Sequence, residues 1–261
     1  MQLPLYQVDA FACGPFTGNP AAVCPLDDWL PDVLLQSIAM ENNLSETAFF
    51  VPRGAGYELR WFTPATEVDL CGHATLASAH VVLTHLREGE DRVRFLSPKS
   101  GPLAVQREGG RLVLDFPTRP GERGDAPPGL AAGLGVEPEE VRIGPYTMAV
   151  LASEEAVRGL EPDMARLARL DRPVIATAEG SDCDFVSRFF APGFGIPEDP
   201  VTGSAHCTST PYWSERLGKR RLFARQVSSR GGELWCEDRG ERTRIAGRAL
   251  EYLVGTIRVP G

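Results

Sequence analysis

Glu198-Asp199-Pro200-Val201-Thr202-Gly203-Ser204-Ala205-His206 has a counterpart earlier in the chain. With Gly203 set over Gly72, the stretch lies on Glu67-Val68-Asp69-Leu70-Cys71-Gly72-His73-Ala74-Thr75, so that Glu198 falls on Glu67 and Ala205 on Ala74. An apolar, helix-like run follows each copy, and each half later carries a Gly-Gly-x-Leu element, beginning at Gly109 and at Gly231. Solenoid repeats recur every 20–50 residues or so, roughly. A single longer repeat with similar content on both sides reads instead as two related domains.

Working outward, the pattern predicts an α+β chain with one long helix per half. In the first half strands are expected at 3–11, 21–24, 57–63, 93–96, 102–107 and 111–116, together with Ala48-Phe49-Phe50-Val51. Asp27 or Asp28 is placed to cap a helix running to about 40, and a mostly apolar helix should run from Gly72 to about Leu86. The Pro- and Gly-rich segment 118–129 reads as a hinge. In the second half, helices are expected near 130–135, 153–159, 163–169 and 203–217, the last kinked or shortened by Pro211. Strands should cover 173–178, 184–190, 222–227, 232–237, 243–246 and 250–258. The domains divide as 1–117 and 118–261, with the final strand near 250–258 free to pack back onto the first half.

Two small-residue loops that each open a helix supply free backbone N–H groups and the positive end of a helix dipole, which favours an anion. A small carboxylate is the natural guest, held near Gly72, Gly203, Cys71 and Thr202. Chemistry-bearing side chains flank the two glycines: His73, Asp199 and Ser204, with Ser204 in the place of His73 in the repeat. A helix N-terminus also suits Cys71 as a thiol base, but its repeat partner is Thr202, so a symmetric two-thiol racemase is not available. Glu46, in Asn42-Asn43-Leu44-Ser45-Glu46-Thr47, stands where a polar loop runs into an apolar strand.

Composition narrows the classes. Over 261 residues the chain is 43% hydrophobic and 24% charged, with no apolar run near the roughly 18 residues of a spanning helix. A net charge of −8 disfavours a nucleic-acid face. The N-terminus has no basic segment followed by an apolar one, so the cytoplasm is the expected compartment. Cysteines at 13, 24, 71, 183, 207 and 236 form no C-x-x-C pair, and the four histidines form no metal-binding pattern. No phosphate- or dinucleotide-binding glycine motif is present, so neither a metal nor an organic cofactor is expected.

These strings, together with Val8-Asp9-Ala10-Phe11, Phe16-Thr17-Gly18-Asn19-Pro20, the Asp115-Phe116-Pro117 run and Gln226-Val227-Ser228-Ser229-Arg230, resemble the PhzF (phenazine biosynthesis-like) family, whose fold is shared with diaminopimelate epimerase and proline racemase. The resemblance implies two similar domains, each a mostly antiparallel barrel-like sheet around a central helix, related by a pseudo-twofold axis with the active site between them. It implies a cofactor-free isomerase, commonly a homodimer, that moves a proton on a small carboxylate. The family's acid/base glutamate falls on Glu46, its histidine on His73, and its aspartate and serine on Asp199 and Ser204. An amino-acid epimerase or racemase, and a carboxylate-binding protein without turnover, are the competing readings.

Overall fold

Residues 1–259 are described by the computed structural model and divide into two units. The first holds Met1–Asp115 together with the chain from Ala246 onward, and the second holds Phe116–Ile245. The architecture is α+β.

The first unit contains β1 (Gln2–Ala10), β2 (Asn19–Pro25), α1 (Asp32–Asn42), β3 (Glu46–Arg53), β4 (Gly56–Phe62), β5 (Glu67–Val68), α2 (Gly72–Val81), β6 (Arg92–Ser97), β7 (Gly101–Glu108) and β8 (Arg111–Pro117), whose last two residues fall in the second unit. β2 runs parallel to β3, β3 antiparallel to β4, β4 parallel to β6 and β6 antiparallel to β7. The sheet bends around α2, which touches β1, β2, β3 and β7. That position explains the helix's sequence: His73 to Ala79 and Val81 are all buried, and a helix buried all round needs small or apolar residues on every side. The predicted helix to Leu86 is reached, but its last turn, Val82–Leu86, widens to a π-helix. Against the sheet's other face lies α1, whose Leu35, Ile38 and Ala39 pack with Leu3, Leu26, Phe49 and Phe62. Neither Asp27 nor Asp28 caps it. Asp28 accepts the backbone N–H of Trp29 instead, and Pro31 takes the cap position, where its fixed φ starts the helix.

The second unit contains β9 (Glu122–Arg123), α3 (Leu130–Leu134), β10 (Glu140–Ile143), β11 (Thr147–Val150), α4 (Glu154–Arg158), α5 (Met164–Leu167), β12 (Val174–Glu179), β13 (Phe185–Ala191), β14 (Ile196–Asp199), α6 (Gly203–Leu217), β15 (Arg221–Gln226), β16 (Gly232–Asp238) and β17 (Arg242–Gly247), whose last residues re-enter the first unit. Its pairing repeats that of the first: β11 parallel to β12, β12 antiparallel to β13, β13 parallel to β15, β15 antiparallel to β16. In both units a short strand, β5 or β14, returns against the preceding one before the long helix starts. The final strand, β18 (Ala249–Arg258), belongs to the first unit and pairs antiparallel with β1.

Pro211 does not shorten α6, which runs the full fifteen residues. A proline cannot bond the carbonyl one turn behind it, here that of Cys207. The backbone N–H of Arg119 fills that place at 3.1 Å, and Thr208 Oγ1 donates to the Arg119 carbonyl at 2.8 Å. The segment read as a hinge is therefore strapped to the second unit. Thr118 N–H also bonds Glu241, and β9 pairs with β10.

Candidate active site

The glutamate common to both loop copies is a buttress. Arg60 on β4 donates through Nε and Nη2 to the two oxygens of Glu67 at 2.8 and 3.0 Å. Arg188 on β13 grips Glu198 in the same way at 2.7 and 2.9 Å. Each guanidinium also lies over a phenylalanine two residues on, Phe62 at 5.1 Å and Phe190 at 5.0 Å. A bidentate pair fixes direction as well as distance. The short strand feeding each helix is thereby held in one orientation, and the helix starts at Gly72 and Gly203 follow from it. Neither glycine has a positive φ, so backbone strain does not demand them.

In the first unit Glu46, Cys71 and His73 come together. Glu46 opens β3 and is only 8% exposed; His73 is the second residue of α2 and is buried. His73 Nε2 lies 3.0 Å from Glu46 Oε2, yet the approach is out of hydrogen-bond line, leaving that oxygen buried and without an aligned donor. On the ring's other side Nδ1 meets Asn19 Nδ2 at 3.2 Å and Cys71 Sγ at 3.4 Å. Cys71 stands at the N-cap, its carbonyl taking both the N–H and the Oγ1–H of Thr75. Carboxylate, thiol and imidazole donors all lie within 4.8 Å of one another, the one group among the described residues close enough for an ion. They already engage one another.

Burial alone pulls the His73 imidazole down, but the Cys71 sulfur and the Glu46 carboxylate outweigh it and hold its pKa well above the ordinary 6.5. Since burial pushes the Cys71 thiol up to about 11, the sulfur is neutral near pH 7 and the carboxylate is the partner that matters there. A histidine that binds its proton more tightly when folded adds stability fully below its unfolded value, and that stability drains as pH rises through the folded value. The difference in melting temperature between the wild type and His73→Gln should therefore be largest near pH 6 and shrink towards alkaline pH. A difference independent of pH would refute the pairing.

The second unit assembles Asp199, Thr202, Gly203 and Ser204. Asp199 ends β14, buried, and accepts the hydroxyl proton of Thr202, the N-cap residue of α6. Gln226 from β15 locks this corner: its Oε1 accepts Thr202 N–H at 2.8 Å and its Nε2 donates to the Asp199 carbonyl at 2.8 Å. His206 Nδ1 sits 2.8 Å from the Thr202 carbonyl, and burial pulls this imidazole down to about 4, so it remains neutral. Ser204 Oγ accepts the hydroxyl of Tyr146 at 2.8 Å. With that lone pair used, the serine's own proton is free to point to a further acceptor.

Asn19, Gln226 and Tyr146 went unread in the sequence. Asn19 and Gln226 lie in strings quoted above for the family resemblance but carry no assigned role there, and Tyr146 lies in none of those strings. Asn19 is placed by the turn before it, where Gly18 has φ +81° and a Cβ would meet the Ala10 carbonyl at 2.5 Å. Tyr146 packs edge-on against Phe189. Tyr146→Phe keeps the ring but frees Ser204 to rotate. If Ser204 holds the substrate, KM should rise about 3- to 10-fold with kcat little changed, the worth of one hydrogen bond; an unchanged KM would show that the tyrosine does not position it.

A family model described as phenazine biosynthesis-like protein, the PhzC–PhzF family, matches residues 8–255. The chain belongs to this family. It is 55% identical over 262 residues to an uncharacterized isomerase of Pseudomonas aeruginosa, covering 99% of this chain and 100% of the relative. The crystal structure of a PhzF-family protein from Enterococcus faecalis superimposes with a TM-score of 0.96 at 48% identity, over 99% of this chain and 100% of that one. This member of the PhzC–PhzF family is an isomerase. A hydroxyproline epimerase from Agrobacterium vitis shares the fold at a TM-score of 0.60 and 10% identity, covering 98% and 91% of the two chains. Among the described residues no helix is long and apolar enough to cross a membrane.

Proposed function

We propose that the chain isomerises a small carboxylate metabolite by moving one proton, without a cofactor, and that Glu46, beside His73 at the start of α2, carries the proton. The observation that carries this reading is the state of Glu46 Oε2: buried, 3.0 Å from an imidazole, and short of an aligned hydrogen bond. A carboxylate oxygen kept dry and underused is a ready proton acceptor.

The steps balance within the substrate and one residue. Glu46 takes a proton from a carbon activated by conjugation, and the electron pair left behind spreads into the unsaturated carboxylate system. The protonated Glu46, whose acid proton exchanges with solvent while it is held, delivers a proton to another carbon, and a double bond has moved. Nothing is oxidised or reduced. The substrate carboxylate is assigned to the N-terminal N–H groups of α2 and α6, where the helix dipoles favour negative charge. Ser204, its acceptor side occupied by Tyr146, donates to that carboxylate. Protonated His73 keeps Glu46 oriented and offsets the charge that develops, while Asp199 fixes Thr202 at the start of α6.

An epimerase with a base on each face of the substrate gains nothing from this arrangement. The residue matching Cys71 is Thr202, whose hydroxyl is already spent on Asp199. The test is incubation of the protein with a carboxylate metabolite pool in deuterated water, followed by mass spectrometry. One metabolite should gain a single deuteron and convert to an isomer of the same skeleton. Ligand-induced thermal stabilisation with no exchange in any metabolite would make this a binding protein, and inversion at Cα of an amino acid would make it an epimerase.

A further inference from the structure

The backbone of Arg119 is held on both sides, and its side chain takes no part in holding it. Its N–H bonds the Cys207 carbonyl at 3.1 Å and its carbonyl takes the Thr208 hydroxyl at 2.8 Å. Just before it, Thr118 bonds the Glu241 carbonyl through its N–H and Thr243 Oγ1 through its hydroxyl, both at 2.9 Å. Cys207 and Thr208 follow Ser204 on α6 by three and four residues, the spacing of side chains that share one face of a helix. Arg119 is therefore pinned on the Ser204 face of α6, one turn of about 5.4 Å further along.

The residue is exposed, and among the described residues its guanidinium makes no hydrogen bond or ion pair. Its charge is felt at Tyr146: burial raises the phenol's pKa, while the hydrogen bond to Ser204 and the positive charge of Arg119 draw it back. The guanidinium thus acts on the hydroxyl that holds Ser204. A carboxylate brought to the start of α6 needs such a charge. Asp199, buried three residues ahead of the N-cap and bonded to Thr202, sets a negative group in the same corner, and like charges at short range repel. Arg188 is already spent on Glu198.

We propose that Arg119 binds the substrate carboxylate together with Ser204, and that it makes the protein select free acids over their amides and esters. The assignment rests on the reading that a substrate carboxylate lies at the start of α6. Ser204 fixes direction with one hydrogen bond. The guanidinium adds a planar fork of donors and the charge that offsets Asp199. An amide or an ester offers Ser204 the same carbonyl oxygen but gives the charge nothing to pair with.

Because the backbone of Arg119 makes the structural contacts, changing its side chain isolates the charge. The probes are benzoate, a conjugated acid with no proton to move, and benzamide, its uncharged counterpart, read by the rise in melting temperature that binding gives. Benzoate should stabilise the wild type and benzamide should not. Arg119→Gln should melt like the wild type without ligand, bind benzoate about 10- to 100-fold more weakly and lose the distinction from benzamide. Arg119→Lys keeps the charge without the fork and should fall between the two. Added salt should weaken benzoate binding to the wild type more than to Arg119→Gln, as befits an exposed charge. Ser204→Ala should weaken benzoate too, and the two losses should not add, because both residues touch one carboxylate. Wild-type benzoate affinity in Arg119→Gln would overturn the proposal, as would losses that simply add, or a wild type that treats benzoate and benzamide alike. Glu46→Gln separates this subsite from the isomerase reading, since it should bind benzoate like the wild type while losing proton exchange. If no metabolite exchanges a proton and benzoate binding still depends on Arg119, the isomerase reading falls and the carboxylate subsite stands.

Discussion

Replacing Glu46 by Gln is expected to lower turnover by about 10²- to 10⁴-fold or more, the usual worth of a positioned acid or base. The substitution preserves shape and leaves an oxygen for His73 Nε2, so the fold should be retained; what disappears is the capacity to bind a proton. Deuterium exchange from solvent into the substrate should vanish with the rate. Glu46→Asp separates chemistry from geometry, because it keeps the carboxylate but withdraws it by one methylene, and misplacement of about 1 Å can cost about 100-fold. The order wild type, Asp, Gln in exchange rate is the expected result. Full activity in Glu46→Gln would remove this residue from the reaction and send the search for a base to Cys71 or Asp199.

The largest expected loss of stability belongs to Trp213→Ala. Trp213 is 1% exposed, stacked on Phe185 at 5.8 Å with the planes 8° apart, and crossed edge-on by Tyr212 at 5.2 Å. Its Nε1 donates to Thr177 Oγ1 at 3.0 Å, and that hydroxyl in turn donates to the Val186 carbonyl. Truncating a buried aromatic of this size removes apolar burial and leaves a cavity, about 3–5 kcal/mol of unfolding free energy. Trp213→Phe keeps the stack and deletes the N–H, so it should cost about 1 kcal/mol from the hydrogen bond together with a smaller packing loss. Urea unfolding of the two variants measures both. A loss below about 1 kcal/mol for the alanine variant would mean the site collapses around the gap. Because Trp213 anchors α6 to β13, the alanine variant should also lose activity: the same helix carries Ser204 in its first turn.

The sequence made the two loop copies visible because their chemistry is local: a small residue, a polar neighbour and an apolar helix behind it. Both helix starts fall on the expected glycines, Gly72 and Gly203. What stayed hidden is long-range. The partners of Glu67 and Glu198 are arginines on preceding strands, and nothing in a strand's alternation distinguishes a surface arginine from one that grips a loop. Asn19 reads as a turn residue and Gln226 as the end of a strand, although each makes the decisive contact to its half of the site. Strands of two to four residues, such as β5, β9, β10 and β14, are too short for periodicity to register. Asp27 and Asp28 have the side chains that favour a cap, but α1 begins at Asp32 with Pro31 in the cap position, three residues beyond the second aspartate.

Pro211 shows how a residue that weakens helices in general can serve one in particular. By withholding its own N–H it leaves the Cys207 carbonyl with an open position, and the backbone N–H of Arg119 occupies it. Alanine there would present a rival donor to the same oxygen. The imino acid therefore works as a reserved berth: the chain leaving β8 is moored at mid-helix, and the helix is told which stretch of chain to accept as its neighbour.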